Sequence, residues 1–409
     1  MGKIAGLLLL MFTMLVGCGC SSFYGNSHPK PNNIRESYYF PENRPREIVL
    51  MLPLTGTFAS TSKFIRGGFM AAYYFDSAEK SNLNIKIVDT NGENIETLYQ
   101  RAVTDGTELI VGPLAKNDVE FLSKLSIHPV PIVALNTLDN YTYNYNANLY
   151  QFGLIPQDEA VQTAGEMIKD GITLCAIINP SGPWGKKITT AFRQTYESLG
   201  GTVVDTLLYD NHPGLSQQLC QFIAENPDEL CIDQAKEKPK IQKEENDKME
   251  KKEPRRRQDI NGIFLVTTVN TARQIVPLLK FYYASDLPIY AISSIYSGTN
   301  VPMLDQDIND VYFCDMPWVL RKSSFHNEEM QYLYNQFEEI KDKRTVNSKR
   351  LYALGIDAYR IATKLNYFLH QSSSGLEGMT GKLYLDNFNH IYRKLDWAKI
   401  HHGKLLPKF

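Results

Sequence analysis

The chain has 409 residues, with 43 Lys and Arg against 45 Asp and Glu and a formal net charge of −2 at pH 7. Aromatic residues make up 11% of it, with 24 tyrosines among them. That near-neutral balance gives no electrostatic ground for a nucleic-acid partner, and the length suffices for two or three packed units around a sizeable core.

At the start, Lys3 is the only early charge and an apolar stretch follows from Ile4 to Val16. It is shorter than the roughly 20 apolar residues that a bilayer span needs and suits the core of a signal peptide. Leu15-Val16-Gly17-Cys18 resembles a bacterial lipobox, which implies cleavage after residue 17 and a lipid on Cys18. Cys20 lacks the leading aliphatic residue of that motif. Gly19, and not Asp, follows Cys18, and by the same resemblance the destination is the periplasmic face of the outer membrane. From Ser21 to Glu47 the chain turns to Asn, Ser and Tyr with Pro29, Pro31, Pro41 and Pro45, a linker composition. Residues 18–47 are therefore expected to form a lipid-anchored flexible linker before a module over 48–409.

From Ile48 onward, short apolar runs alternate with amphipathic stretches. The expected strands are Ile48–Leu54, Asn84–Asp89, Glu108–Gly112, Pro131–Asn136, Leu149–Gly153, Thr173–Asn179, Thr202–Tyr209, Gly262–Thr267 and Ile289–Ser294. Helices are expected between them, among others at Lys63–Phe75, Asn94–Thr104, Asp158–Lys169, Lys186–Leu199 and Thr271–Ala284. Nearly continuous apolar strands separated by helices indicate an α/β fold of parallel sheets covered on both faces. Nine strands are many for one sheet, so two lobes are expected. After Ser294 come a strand (Val311–Met316), two helices (Asn327–Lys341 and Lys349–His370) and a closing pair of strands (Gly381–Asp386 and His390–Lys394). The division expected is 48–153 with 297–368 for one lobe, and 154–296 with 369–409 for the other.

Between Gln234 and Gln258 the chain is nearly all polar, with 10 Lys and Arg against 6 Asp and Glu. The segment 234–258 is expected to be a disordered, solvated insertion, with a docking arm for an acidic partner or anionic lipid as the alternative; Arg255, Arg256 and Arg257 carry that alternative. Besides Cys18, five cysteines remain, an odd number that is no disulfide framework. Cys175 and Cys314 lie in apolar strands and read as small buried hydrophobes. Cys220 and Cys231 are close enough in sequence to bridge or to stay separate.

Catalytic signatures are missing: no zinc-protease helix, Walker loop, dinucleotide fingerprint or nucleophile elbow occurs. Ser60-Thr61-Ser62-Lys63 and Ser77-Ala78-Glu79-Lys80 match Ser-x-x-Lys, without the companion boxes that a serine acyltransferase needs. The adjacent pair His401-His402 would point its rings apart on a strand and makes a poor metal site. No cofactor and no metal is expected.

Specific strings then carry a resemblance. "IVLMLPLTGTFASTSKFIRGGFMAAYY", "LIVGPLAKNDVEFL" and "PIVALN" resemble the opening of the type I periplasmic binding fold, also found in branched-chain amino-acid receptors. "YQFGLIPQDEA", "RRRQDINGIFLVTT", "PLLKFYYASDLPIYAISSIYSG", "DINDVYFCDMPWVL", "YALGIDAYRIA" and "GMTGKLYLDNFNHIYRKLDWAKIHHGK" resemble the C-terminal domain of the LpoA family. Those are outer-membrane lipoproteins that activate a bifunctional class A penicillin-binding protein. The resemblance runs from about Ile48 to the C-terminus, without the helical-repeat domain that better-known members place before it, so the linker alone is expected to set the reach toward the cell wall.

The resemblance implies a non-enzymatic regulator of peptidoglycan synthesis, whose partner is the class A synthase. The alternative is a lipid-anchored solute receptor that delivers an amino acid or muropeptide to an ABC importer. Loops at the carboxyl ends of strands line an interlobe cleft in this fold. Here they contain Thr55, Gly56, Ser60, Gly112, Pro113, Asn136, Ser181 and Trp184, which either bind a small ligand or satisfy turns and helix caps. For the partner contact the candidates are Trp184, Trp318 and Arg255 to Arg257.

Overall fold

The structure is a computed structural model that describes residues 44–77, 82–138, 148–210, 214–227, 231, 255–298, 302–321, 328–340, 345–370 and 374–408. These lie in one compact unit, Tyr39–Phe409. Cys18, Cys20 and the charged stretch 234–254 fall outside the described residues.

In chain order the first half comprises β1 (Glu47–Leu52), α1 (Ala59–Ser77), β2 (Asn84–Asp89), α2 (Ile95–Thr104), β3 (Leu109–Val111), α3 (Lys116–Ser123), β4 (Ile132–Ala134) and β5 (Leu149–Phe152). Then come α4 (Pro156–Lys169), β6 (Leu174–Pro180), α5 (Pro183–Ser198), β7 (Thr202–Tyr209), α6 (Leu215–Ile223), β8 (Gly262–Leu265), α7 (Val269–Phe281), β9 (Ile289–Ala291) and β10 (Val311–Asp315). The remainder holds α8 (Glu328–Glu338), α9 (Val346–Thr363), α10 (Leu365–His370), β11 (Leu376–Glu377), β12 (Lys382–Leu385), β13 (His390–Lys394), β14 (Asp396–His401) and β15 (Lys404–Lys408). Local chemistry marks several boundaries. Pro156 and Pro183 open α4 and α5, where their missing N–H costs nothing. Asn94 caps α2 by accepting the Glu96 N–H at 2.8 Å, and Thr345 with Ser348 forms a capping box on α9.

Two sheets result. The first has eight strands in the order β11-β12-β13-β5-β4-β3-β1-β2 and the second seven in the order β15-β14-β10-β9-β8-β6-β7. Both are parallel except at one end, where β12 and β11 of the first and β14 and β15 of the second run antiparallel. Ile48 to Leu52 of β1 are buried without alternation, as a strand with helices on both sides must be. On the first sheet α1 packs against α9 at unusually close range. A Cβ on Gly68 would come within 1.9 Å of the Tyr352 carbonyl oxygen, and one on Gly355 within 1.9 Å of the Ile65 carbonyl oxygen. The two glycines face each other's helix, so the backbones meet without side chains between them.

Sheet membership differs from the expected division of the chain. Val311–Asp315 pairs with β9 inside the second sheet, while β11, β12 and β13 complete the first. The chain therefore crosses between the sheets three times: from β5 into α4, from β10 toward α8, and from β13 to β14 through the single residue Leu395. Local pattern cannot report which sheet a strand joins, since the pairing is decided by distant residues. Two further strands, β14 and β15, follow the closing pair, joined by a turn with His402 at φ 48° and Gly403 at φ 68°. In that turn the His401 and His402 rings approach to 4.2 Å instead of pointing apart. The linker also ends before residue 47, for Arg44 donates to the Tyr359 hydroxyl at 3.3 Å and pairs with Asp76.

Candidate functional site

The loops at the carboxyl ends of the parallel strands hold most of the residues singled out for the cleft. Their polar groups are largely engaged locally. Thr55 donates its hydroxyl to Asp89 at 2.7 Å and accepts from the Asn91 amide at 3.0 Å, while Asp89 also accepts the Leu54 and Asn91 backbone N–H groups. The Asn91 backbone N–H, chief among these donors, holds the Asp89 carboxyl below its usual range. Asn136 donates to the Leu114 carbonyl oxygen at 2.9 Å and accepts the Thr137 N–H at 2.9 Å. Ser181 donates to Asp210. Gly112, with φ 103°, lets the turn before Pro113 pass so near β1 that a Cβ there would come within 2.0 Å of the Met51 carbonyl oxygen. Gly56 sits in the turn before α1, and Ser60 is exposed in the first turn of that helix. Trp184 is 40% exposed at the start of α5, an apolar ring at the surface.

The other contact candidates divide. Trp318 is 3% exposed and stacks on Tyr352 with centroids 6.0 Å apart, so it is core and not a surface anchor. The arginine run is not part of a free arm. Arg256 is buried, pairs with Asp286 and donates to the Arg257 carbonyl oxygen at 2.6 Å. Arg257 lies between Asp205 at 2.8 Å and Asp259 at 2.7 Å, and these acidic partners hold its guanidinium even more firmly protonated. Arg255 stays exposed beside Glu225 at 3.6 Å. Ion pairing with folded residues thus offsets the charge of Arg255, Arg256 and Arg257, the residues that carried the docking-arm alternative. Cys220 and Cys231 are bridged, with Cα atoms 5.8 Å apart.

Sequence reasoning missed a buried polar locus where the three crossings meet. Arg350 of α9 holds Asp315, at the end of β10, at 2.5 to 3.2 Å, and donates to the Ser293 carbonyl oxygen at 2.9 Å. Glu159, in the first turn of α4, accepts the Ser293 N–H at 2.9 Å and its hydroxyl at 3.1 Å. Burial pushes the Glu159 carboxyl above its ordinary range, against the opposing pull of the buried Arg393 guanidinium. One turn further along α4, Gln162 donates to the Arg393 carbonyl oxygen at 2.9 Å and accepts the Leu395 N–H at 2.8 Å. Asp357 gathers the Met379 N–H at 2.8 Å, the Thr380 N–H at 2.7 Å and the Thr380 hydroxyl at 2.6 Å. The signal was present in the sequence: Glu159, Ser293, Asp315, Asp357, Thr380 and Arg393 each fall inside one of the strings that carried the resemblance. Nothing local said that they converge.

The profile of the family described as LppC putative lipoprotein matches residues 27–403. The chain belongs to that family. This LppC-family chain is 24% identical over 352 residues to the penicillin-binding protein activator LpoA of Photobacterium profundum, covering 86% of itself and 55% of that protein. It is 25% identical over 382 residues to the protein of the same name from Vibrio antiquarius, covering 91% of itself and 61% of the relative. The chain thus spans little more than half the length of these curated relatives. Among solved structures it resembles the LpoA C-domain from Haemophilus influenzae, a regulator of PBP1A, with TM-score 0.68 and 22% identity over 89% of this chain and 100% of that one. It also resembles a putative branched-chain amino acid ABC transporter protein from Chromobacterium violaceum, with TM-score 0.63 and 24% identity over 86% and 99%. These two likenesses establish the periplasmic-binding-protein-like fold of the LppC-family chain. No described helix is long and apolar enough to cross a membrane.

Proposed function

We propose that this LppC-family lipoprotein binds a bifunctional class A penicillin-binding protein and activates its peptidoglycan synthesis without performing chemistry itself. In this reading, a lipid on Cys18 anchors it to the periplasmic face of the outer membrane. The observation that carries the reading is the sequence similarity to curated penicillin-binding protein activators along 86% to 91% of the chain, a span that includes both lobes. The engagement of Thr55, Asn136 and Ser181 by neighbouring loops supports it, because these hydroxyl and amide groups serve the fold first. To activate, the docked surface must bind the active state of the synthase better than the inactive one, since equal affinity shifts no equilibrium. Trp184 belongs to that surface in this proposal, as an exposed aromatic in the first turn of α5, just after the carboxyl end of β6.

The test is glycan polymerisation by a purified class A synthase, with and without the protein, together with pull-down of the pair. The expected result is a complex and a faster rate, both weakened by Trp184→Ala with its melting temperature unchanged. No complex and no rate change would overturn the proposal. Thermal stabilisation by amino acids or muropeptides in that case would point to a receptor instead.

A further inference from the structure

In a two-lobed protein, opening and closing must be absorbed by backbone rotation in the segments that cross between the lobes. Here each crossing is tied by polar groups to another part of the joint. The third crossing is Leu395 alone, and its N–H together with the carbonyl oxygen of Arg393 is held by Gln162, on the helix that the first crossing delivers. At the second crossing the Trp318 N–H donates to the Met379 carbonyl oxygen at 3.1 Å, joining it to the first sheet. Arg321, a little further on, holds Asp396 at the start of β14, so the second crossing is bound to the third. The Arg350 guanidinium reaches from α9, on the first lobe, to Asp315 and Ser293 on the second.

We infer that this protein holds its two lobes at one fixed angle, the joint being locked by polar stitches among its three crossings, the Arg350–Asp315 pair buried among them, and not set by a ligand in the cleft. Rotation about the joint would pull the Gln162 amide from two backbone groups that it satisfies and would draw a buried guanidinium from its carboxylate. The first costs two hydrogen bonds at a half-buried amide, and the second leaves charged groups without partners in a place poor in water. A two-lobed receptor with free crossings incurs no such cost. The inference stands independently of the proposed partner, since it concerns only how the lobes are joined.

The test is a distance distribution between nitroxide labels attached to ketone-bearing unnatural residues, which spare the native cysteines. Glu120 on α3 and Gln217 on α6 are exposed and lie on different lobes. The full-length protein is expected to give one narrow distance, unchanged by a mixture of amino acids. Gln162→Leu combined with Arg350→Met is expected to broaden the distribution or add a second, displaced peak. Two populations in the unmodified protein, or a shift on adding amino acids, would overturn the inference. So would a folded double variant that keeps the single narrow peak. If the double variant does not fold, the unmodified protein decides alone, because one unshifted peak supports the lock and any second population refutes it.

Discussion

Replacing Arg350 by Met keeps most of the side chain's apolar stem and removes only its charged head. In the folded protein the Arg350 and Asp315 side chains are 11% and 2% exposed, so little water can take the guanidinium's place. The Asp315 carboxylate would keep the Met316 N–H, which it accepts at 2.8 Å, and lose its only described charged partner; the Ser293 carbonyl oxygen would lose one of its two donors and keep the Tyr296 N–H. Removing one member of a buried pair costs about 3 to 5 kcal/mol, most of it from the orphaned charge. At about 2.1 cal/mol/K of unfolding entropy per residue, a unit of this size loses roughly 4 to 6 °C in melting temperature for that cost. Adding Asp315→Asn should then restore at least half of the loss, because the amide still accepts from Met316 without carrying a charge. The assay is thermal unfolding by circular dichroism on both variants. If Arg350→Met alone melts with the parent, or if the double variant is worse than the single one, the pair is not the dry, charge-compensated contact described here.

Other perturbations probe different layers of the fold. Gly355→Ala drives a methyl to 1.9 Å from the Ile65 carbonyl oxygen and should cost about 3 kcal/mol, at the upper end of overpacking; urea unfolding with an unchanged slope checks it. Replacing Cys220 and Cys231 by Ala removes a bridge across a sequence separation of 11 and should cost about 3 kcal/mol, while making the melt indifferent to reductant. His128 is buried, donates from Nε2 to the Leu122 carbonyl oxygen at 2.9 Å, and has its pKa lowered from 6.5 chiefly by burial. The unfolded chain therefore takes up this proton first, so stability is full above pH 6.5 and declines as pH falls toward the lowered value. Melting temperature against pH, compared with His128→Gln, should show a gap that narrows on acidification; a gap independent of pH would refute the burial argument.

The alternation of apolar strands with amphipathic helices was legible in the residues, and β2 and β7 match their expected bounds, Asn84–Asp89 and Thr202–Tyr209. Assignment to sheets was not. Val311–Asp315 is apolar enough for either lobe, and only its register against Ile289–Ala291 decides. Burial of single side chains was hidden for the same reason. The Trp in Pro317-Trp318 could face water or core, and the ring of Tyr352, 34 residues away, settles it. Arg255 to Arg257 looked like a mobile basic run because the acids that neutralise them, Asp205, Glu225, Asp259 and Asp286, are mostly far off in sequence. At the candidate cleft the loops were identifiable from their turn residues, but not the local partners that occupy them.

The neighbourhood of α6 sets a boundary condition on the charged stretch from 232 to 254. Cys231, on one side of it, is bonded to Cys220; on the other side the Arg255 carbonyl oxygen accepts the Glu225 N–H at 3.0 Å. Those two anchors are five positions apart, one in the last turn of α6 and the other just past its end. Both ends of the intervening chain are thus fixed to nearly the same place, and closing a loop between fixed ends depends only weakly on length, each doubling adding about 0.6 kcal/mol. The site is therefore a natural port. A reporter peptide, an affinity tag or a compact fluorescent domain whose termini lie close together can replace 232–254 and leave the sheets and the crossings as they are.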